Sequence, residues 1–573
     1  MAQHDPTRDT RRKPRRTPPS RGAVSLRCGA LLALAVASAG SASACTGNIG
    51  DPPGGVSGVN PGPGPDPSFQ PPAASLRRLL GRQYRNAIQD LLGEPAAIVA
   101  DPPADSSLNG FDAIAAAQLA LGDAQVNRYE SSARAVATAA MGDQPRIDAL
   151  LGCTPTGADD AACHGQLVAR FGRLLWRRSL EQIEIDTYVG VAQEASLEFG
   201  DFYAGVEFTI AALLQSPNFL YQVEIGQPSA ADPSRYELTG AEVAARMSFF
   251  LLDTTPSDAL LLAAEQGQLE TDEGVRAVAR GILEQPQARV ALGNFYSEVF
   301  KLRELDGLVK DSDLYPQFTP TLAQAMREET LRLIEDVVWE RDGDFRDIFD
   351  APYTFANAEL AELYGVEGPA EGWGKIDLPT EHGRAGVFGQ AGFLSVFGHV
   401  ATTSPTLRGR FIRETILCQS IPAPPNNVVT EFPPDVEAKT MREKLIQHQN
   451  DPSCAGCHRL MDTIGLGLEN FDSIGGYRTL DNGAPIDAVS TIEGIGTFEG
   501  AGELGALMRE QPQVASCIVR NVFRGATGHV ETSGEKAEIE ELEAAFTGSG
   551  FRLQDLLVEL VSSPAFRLVG RPE

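Results

Sequence analysis

The spacing of apolar residues along most of the chain is that of amphipathic helices. The first stripe follows Ser75, a residue type suited to an N-cap. The chain is therefore predicted to be mainly α-helical up to about residue 365. The apolar positions of this first stripe are Leu76, Leu79, Leu80, Tyr84, Ala87, Ile88, Leu91 and Leu92.

Further helices are predicted by the same spacing. Thr239 and Glu242 form a capping box ahead of the apolar run Val243–Leu252. Residues 322–338 make a second amphipathic helix, and residues 540–561 make another near the C-terminal end.

The last third of the chain is less periodic at its start. Residues 366–405 are rich in glycine and follow no single spacing. Asp481-Asn482-Gly483 is a turn of the kind that closes hairpins, so a small β-hairpin is predicted there.

Two stretches of the sequence are similar to each other. Each has a cysteine ahead of an Arg-rich helix and ends in Ser-Pro-x-Phe, which suggests two copies of one helical unit. Ser-Pro helix ends are also common in unrelated sequences. The cysteines are Cys163 and Cys517, the Arg-rich segments are 171–178 and 519–524, and the ends are Leu213–Phe219 and Leu560–Phe566.

The first 44 residues have the three parts of a bacterial export signal. Eight basic and two acidic residues precede the apolar stretch Cys28–Ala39, and small residues lead up to Cys45. Ordinary signal peptidase would cut after Ala44, and lipoprotein processing would cut at the same bond. In the second case Cys45 is lipidated and the protein has a membrane partner through its anchor. Residues 45–74 are rich in proline and glycine and are predicted to be a tether.

Composition limits the classes of function. The chain has 573 residues, 42% of them hydrophobic and 22% charged, and a net charge of −29. The negative charge argues against a nucleic-acid partner, and no apolar run reaches the length of a membrane-spanning helix. A chain of this length is expected to form several domains. The predicted segments after the tether are 75–145, 150–228, 236–366, 380–480 and 490–573.

One short motif indicates chemistry. Cys454-Ala455-Gly456-Cys457-His458 has the spacing C-x-x-C-H, in a chain with only 8 cysteines and 7 histidines. On a helix, positions i and i+3 share a face and i+4 lies beside them. Cys454 and Cys457 can therefore bond to the vinyl groups on one edge of a haem while His458 ligates the iron. The motif predicts one covalently attached haem c, in agreement with the export signal, because this attachment takes place outside the bacterial cytoplasm.

Three other interpretations of the motif are weaker. A thioredoxin-like pair needs a βαβ context, which this sequence lacks. A structural zinc site usually has a second pair of ligands, whereas Cys418 and Cys517 are single and far apart. A disulfide between Cys454 and Cys457 would close a very small loop.

The remaining cysteines divide into pairs with one left over. Cys153 and Cys163 flank a polar loop and are expected to pair. By analogy with that unit, Cys517 is expected to pair with Cys418. Cys45 is then the odd cysteine, as a lipidated residue would be.

The second axial ligand is not fixed by the sequence. Met508 lies fifty residues beyond His458 but shares a helical stripe with neighbouring leucines, so core packing explains it equally well. His399, His448 and His529 are the other candidates, although a lone histidine is more often structural. A vacant distal position would permit peroxide or small-molecule chemistry.

Five charged residues near the motif have two interpretations each. Asp462, Glu469 and Asp472 could do acid–base work near iron, but capping and salt-bridge roles are favoured. Arg408 and Arg478 could bind haem propionates, and structural roles are equally consistent with the sequence.

Several stretches together resemble a known family. They are similar to the secreted, multi-domain cytochrome c-like proteins of planctomycetes and myxobacteria, which are built of five tandem domains of unknown function. The resemblance covers the chain from about residue 75 to its end. The matching stretches are 76–79, 83–84, 90–93, 176–178, 216–221, 353–357, 363–365, 403–405, 408–409, 417–418, Pro422, His448, the C-x-x-C-H motif and 468–472.

The resemblance implies a helical fold and an envelope location, and it supplies no established reaction. His448 fits the family's pattern, which ranks it first among the distal candidates. His529 stands where that pattern has arginine after Gly528, so it is a poor candidate.

The fold class predicted is mainly α: a helical body of several subdomains, a C-terminal cytochrome c-like haem-binding region and a small β-hairpin. The leading hypothesis for function is an exported mono-haem protein that transfers electrons to an unidentified redox partner or catalyses a haem-linked redox step. The alternatives are a helical surface scaffold, for which haem is secondary or absent, and a haem enzyme with a vacant distal site.

Overall fold

The computed structural model describes residues 69–230, 232–422, 438–450 and 452–572, and most of these residues are helical. The first part of the body is a set of helices closed by two short strands. Its elements are β1 (Ser75–Arg78), α1 (Gly81–Leu92), α2 (Glu94–Ile98), α3 (Asp112–Gln118), α4 (Asp123–Ala140), α5 (Gln144–Leu151), α6 (Ala161–Trp176), α7 (Gln182–Phe199), α8 (Phe202–Leu214), α9 (Pro217–Leu220) and β2 (Tyr221–Glu224).

The prediction of a helix N-cap at Ser75 is wrong. Residues 75–78 form β1, which pairs antiparallel with β2, and helix α1 begins only at Gly81. The strand is stabilised by Arg77, whose buried guanidinium donates to Glu224 at 3.0 Å. Glu224 is remote in sequence, so the local spacing of apolar residues gives no information about this contact.

The middle of the body begins with a small strand pair and continues as helices. Thr239 caps the first of these helices, and its backbone N–H donates to Glu242 Oε2 at 2.7 Å, so the predicted capping box is confirmed. The elements are β3 (Gln227–Pro228), β4 (Arg235–Glu237), α10 (Gly240–Leu251), α11 (Asp258–Glu265), α12 (Asp272–Leu283), α13 (Pro286–Val299), α14 (Pro320–Glu335), β5 (Tyr353–Ala356), α15 (Ala358–Tyr364) and β6 (Gly374–Asp377).

The last part contains the C-x-x-C-H motif and the C-terminal helices. The predicted hairpin at Asn482-Gly483 is confirmed, with both turn residues at positive φ. The elements are α16 (Gly386–Gly389), α17 (Ala391–Val396), α18 (Pro405–Phe411), α19 (Met441–Gln449), α20 (Pro452–Leu466), β7 (Leu480–Asp481), β8 (Ala484–Pro485), β9 (Val489–Ile492), β10 (Gly496–Glu499), α21 (Gly500–Glu510), α22 (Pro512–Thr527), α23 (Lys536–Gly548), α24 (Leu553–Ser562), α25 (Pro564–Arg567) and β11 (Leu568–Gly570).

The predicted single helix over 540–561 is two helices, α23 and α24. The chain turns between them where Gly550 and Phe551 both adopt positive φ. The turn is fixed by Phe551, whose N–H donates to Phe546 O at 2.8 Å. Ser549 and Gly550 are weak helix formers, and these two residues are what indicates the helix break in the sequence.

Two apolar cores organise the described residues. The smaller one is built from side chains between Leu79 and Leu220, together with Phe249, so predicted segments 75–145 and 150–228 share it. The larger one draws on all three later segments. The subdomains predicted from the sequence therefore share cores, although the mainly helical fold class is confirmed.

The end of the predicted tether belongs to the body. Phe69 is buried in the larger core, and Pro72 O accepts a hydrogen bond from Gly570 N at 2.6 Å. Residues 72–74 are thereby fixed to the C-terminal strand, and Phe69 is fixed to the core, because an aromatic side chain and backbone carbonyls can make such contacts even in a proline-rich segment. The predicted export signal 1–44, Cys45 and the tether up to residue 68 lie outside the described residues.

A buried carboxyl group lies in the larger core. Glu329 on α14 is wholly buried and accepts hydrogen bonds from Thr354 Oγ1 at 2.8 Å and from Tyr364 OH at 2.7 Å. Burial raises the pKa of Glu329 from 4.5 to about 7, although the two hydroxyl groups and the charge of Arg384 act in the opposite direction.

We expect this carboxyl to make stability fall as pH rises. Between pH 4.5 and about 7 the unfolded chain releases the proton of Glu329 while the folded protein retains it, so folding is favoured less at each higher pH. The free energy of unfolding of Glu329→Gln, relative to that of the wild type, should therefore rise by on the order of 3 kcal/mol across this window. Denaturant unfolding of both proteins at pH 4.5, 6 and 7.5 measures this, and parallel pH profiles would contradict it.

Candidate functional site

The motif lies in the first turns of helix α20. Cys454 and Cys457 are three residues apart on that helix and His458 follows directly, so the three side chains occupy adjacent positions on it. Cys454 is 8% exposed and Cys457 is half-buried. Cys457 Sγ lies 3.7 Å from the backbone oxygen of Pro422. The helical geometry expected of the motif is thus present.

His458 is held by a carboxylate four residues further along the helix. Its Nδ1 lies 3.0 Å from Asp462 Oδ2. Asp462 is fully buried and also accepts hydrogen bonds from Thr406 Oγ1 at 2.7 Å and from Gln449 Nε2 at 3.0 Å. The hydrogen bond to Asp462 raises the pKa of His458, and partial burial acts in the opposite direction.

These residues are of the types that the predicted haem c attachment would use. Metal-ligating histidines generally donate their second ring N–H to a carboxylate or carbonyl, which fixes the tautomer and the ring orientation. Asp462 is placed to accept from His458 Nδ1, an arrangement that suits Nε2 for iron. In the described part of the chain, no group of three or more His, Cys, Asp or Glu side chains is arranged to hold a bare metal ion.

Helix α20 is positioned by close contact with α18. Gly409 on α18 faces Met461, where an added Cβ would lie 1.8 Å from the backbone oxygen. Gly465 on α20 faces Pro405 in the same way, at 2.0 Å. The two backbones therefore touch at both ends of the crossing, and two glycines make this approach sterically possible.

Arg408 on α18 is a structural residue at the C-terminal end of α20. It is completely buried, and its guanidinium donates to four backbone oxygens. The propionate-binding role considered for Arg408 has no geometric support, because the side chain is engaged inside the protein. These acceptors are Leu394 O at 3.3 Å, Leu468 O at 3.0 Å, Phe471 O at 3.1 Å and Asp472 O at 2.8 Å.

Glu469, Arg478 and Asp472 also make structural contacts. Glu469 is buried between Arg408 and Arg478, and its Oε2 accepts from Arg478 at 2.9 Å. Burial raises the pKa of Glu469, opposed by the two guanidinium groups. Asp472 Oδ1 accepts from the N–H groups of Ile474 and Gly476 and so closes a turn.

The distal-ligand candidates occupy different environments. Met508 is fully buried in the larger core, which fits the core-packing interpretation. His399 has an exposed side chain in a loop, and its backbone oxygen accepts from Lys310 Nζ at 3.0 Å. His529 Nε2 lies 2.8 Å from Glu535 Oε1. His448 is in the last turn of α19, which packs against α20, and its side chain lies outside the described residues.

The residues that support the motif from other elements are not predictable from the sequence. Thr406 and Gln449 contact Asp462 from α18 and α19, and no local pattern marks them. Lys310 is also new: its buried ammonium group lies within hydrogen-bond distance of four oxygens, Ser395 O, Gly398 O, His399 O and Ser473 Oγ, which share its three N–H donors. Burial lowers the pKa of Lys310 to about 8.

Two disulfides are present in the described residues, and they are the pairs named from the sequence. Cys153 is bonded to Cys163, ten residues away in the first turn of helix α6. Cys418 is bonded to Cys517 on α22, 99 residues away. The second bond closes a long loop that contains the motif.

The fold and the motif define a multidomain, mainly helical protein with a C-x-x-C-H segment. The chain carries five tandem domains, each matched by a family model described as "Protein of unknown function", as the resemblance implied. The matches are DUF1587 over residues 77–142, DUF1595 over 163–224, DUF1592 over 238–366, DUF1588 over 384–481 and DUF1585 over 496–566.

Other comparisons add no relative. No curated protein and no solved structure matches the chain significantly. The motif lies inside the DUF1588 match, and the two disulfides involve residues of the DUF1595, DUF1588 and DUF1585 matches. Within the described ranges, no helix combines the length and apolar character needed to cross a membrane.

Proposed function

We propose that this protein is an exported, single-haem c-type protein of the bacterial envelope that transfers electrons or serves a haem-linked redox step. The observation that carries the proposal is the donor set on one helix. Cys454, Cys457 and His458 are adjacent on α20, and the buried carboxylate of Asp462 holds the imidazole.

Each residue of the set has a defined task. The thiols of Cys454 and Cys457 would hold the haem through thioether bonds, and the imidazole of His458 would ligate its iron. Asp462 accepts the Nδ1–H of His458 and keeps the ring in one orientation. A bound haem supplies one-electron redox chemistry at the iron.

The N-terminal sequence supports the location. A basic segment, an apolar segment and small residues before Cys45 favour export and lipid anchoring. Residues 45–68 would then join the membrane to the body, which begins with the docked Phe69. The redox partner is a protein still to be identified, and the net charge of −29 opposes a nucleic-acid partner.

Covalent haem is the direct test. Mature protein produced with cytochrome c maturation machinery should give a haem c pyridine haemochrome spectrum and an intact mass increased by one haem. Cys454→Ser with Cys457→Ser should remove covalent haem. Cys153→Ser with Cys163→Ser is the matched control, which should lose stability, typically 2–4 kcal/mol, and keep the haem. A colourless wild-type protein without the mass increase would rule the proposal out.

A scaffold or binding function is the second candidate. It is favoured by the observation that four of the five matched domains lie outside the domain that contains the motif. Envelope partners captured equally by wild-type and Cys454→Ser protein would support it. A haem enzyme with a vacant distal site predicts instead a ferric spectrum that changes when cyanide is added.

A further inference from the structure

Asp462 is a point of convergence for three helices. His458 from α20, Thr406 from α18 and Gln449 from α19 all contact its carboxylate, at 3.0, 2.7 and 3.0 Å. The side chain of Asp462 has no exposed surface. A carboxylate held on this many sides keeps one position, so it can also fix the ring that it contacts.

The buried carboxyl group of Asp462 has mostly neutral partners among the described residues. Among the described residues, His458 is the only basic side chain that forms an ion pair with Asp462. Thr406 and Gln449 are neutral donors. A buried carboxylate is costly unless hydrogen bonds or a positive charge compensate it. A ferric ion ligated by His458 would place positive charge on the far side of the same imidazole.

We propose, on the premise of the proposed function, that Asp462 is a positioning residue that fixes the His458 ring and favours the oxidised state of the bound iron. A carboxylate that accepts the Nδ1–H makes the imidazole a stronger electron donor at Nε2. Stronger donation stabilises ferric over ferrous iron and lowers the reduction potential.

The reduction potential of the haem-loaded protein tests this inference. Asp462→Asn keeps the size of the side chain and removes the charge. We expect the equilibrium to shift at least tenfold toward ferrous iron, which is a rise of 59 mV for one electron. The iron–imidazole stretching frequency in the ferrous Raman spectrum should fall, because the bond to His458 becomes weaker.

A second variant should move the potential in the other direction. Thr406→Val removes one donor to Asp462 and leaves more of the carboxylate charge for His458. The potential should therefore fall. Thr406→Val also carries the test if Asp462→Asn protein does not mature, since valine has nearly the shape of threonine.

Glu469→Gln is the matched control. Glu469 is another buried carboxylate of the same domain, but its partners are Arg408, Arg478 and Thr403. The Glu469→Gln protein should be less stable than the wild type, but its redox equilibrium should shift by less than threefold. An unchanged potential in both Asp462→Asn and Thr406→Val, or a Glu469→Gln shift as large as theirs, would overturn the inference. Absence of haem in the wild type would instead refute the proposed function.

Discussion

Arg408→Met is expected to destabilise the domain of the motif by at least about 4 kcal/mol, enough to prevent its stable folding. The guanidinium donates to four backbone oxygens in the interior, and methionine donates to none. An orphaned buried acceptor costs about 1–3 kcal/mol. Glu469 would also lose one of its two guanidinium partners. Urea unfolding followed by circular dichroism, with soluble yield, measures the effect.

Arg410→Met is the control for this prediction. Arg410 lies on the same helix, but its side chain is 58% exposed and it pairs with Glu414 across one turn. Losing such a pair costs about 0.5 kcal/mol or less. An Arg408→Met protein as stable as Arg410→Met would show that the buried hydrogen bonds carry little of the domain's stability.

Features that depend on neighbouring residues were predicted well from the sequence. The Thr239 cap, the hairpin at Asn482-Gly483 and the helical placement of Cys454, Cys457 and His458 were all expected. In each case the decisive contact joins residues within four positions of one another, so a local pattern contains the information.

Features that depend on remote partners were not predictable in this way. Residues 75–78 have helical spacing but form a strand, because β2 supplies its backbone partners from about 145 residues away. Similarly, Asp462 follows His458 at the i+4 position that a sequence shows, but Thr406 reaches it from another helix. Arg408 could be proposed as a haem contact because nothing local shows its burial.

The similarity between two stretches of the sequence has a structural counterpart. Leu79 N–H, just after β1, donates to Leu220 O at the end of the one-turn helix α9 that closes the first stretch. Likewise, Leu238 N–H, just after β4, donates to Arg567 O at the end of the one-turn helix α25 that closes the second stretch. In both, an early strand pairs with the strand that ends the unit.

The two units differ in the separation of their disulfide-bonded cysteines. Cys153 and Cys163, at the start of α6, are ten residues apart, while Cys418 and Cys517, the pair at α22, are separated by 99 residues. The segment between Cys418 and Cys517 contains the C-x-x-C-H motif. The second unit therefore holds the motif between two points that are covalently joined, and the first unit has only a short loop at the same place.

Gly465→Ala is expected to be nearly as damaging as the loss of Arg408. The added Cβ would lie 2.0 Å from the backbone oxygen of Pro405 and 2.4 Å from its Cα. Backbone atoms cannot rotate away as a side chain can, so α18 and α20 must separate. Overpacking of this kind costs typically 1–3 kcal/mol, and we expect a loss of about 3 kcal/mol because the contact involves two backbones. Thermal unfolding followed by circular dichroism measures it.

Gly456→Ala provides the comparison within the same helix. Gly456 lies between the two motif cysteines, and its added Cβ would meet no atom within 4 Å. Alanine is the better helix former by about 1 kcal/mol, so this variant should be as stable as the wild type or more so, with the donor set intact. Equal stability of Gly456→Ala and Gly465→Ala would mean that the α18–α20 crossing does not position the motif helix as described.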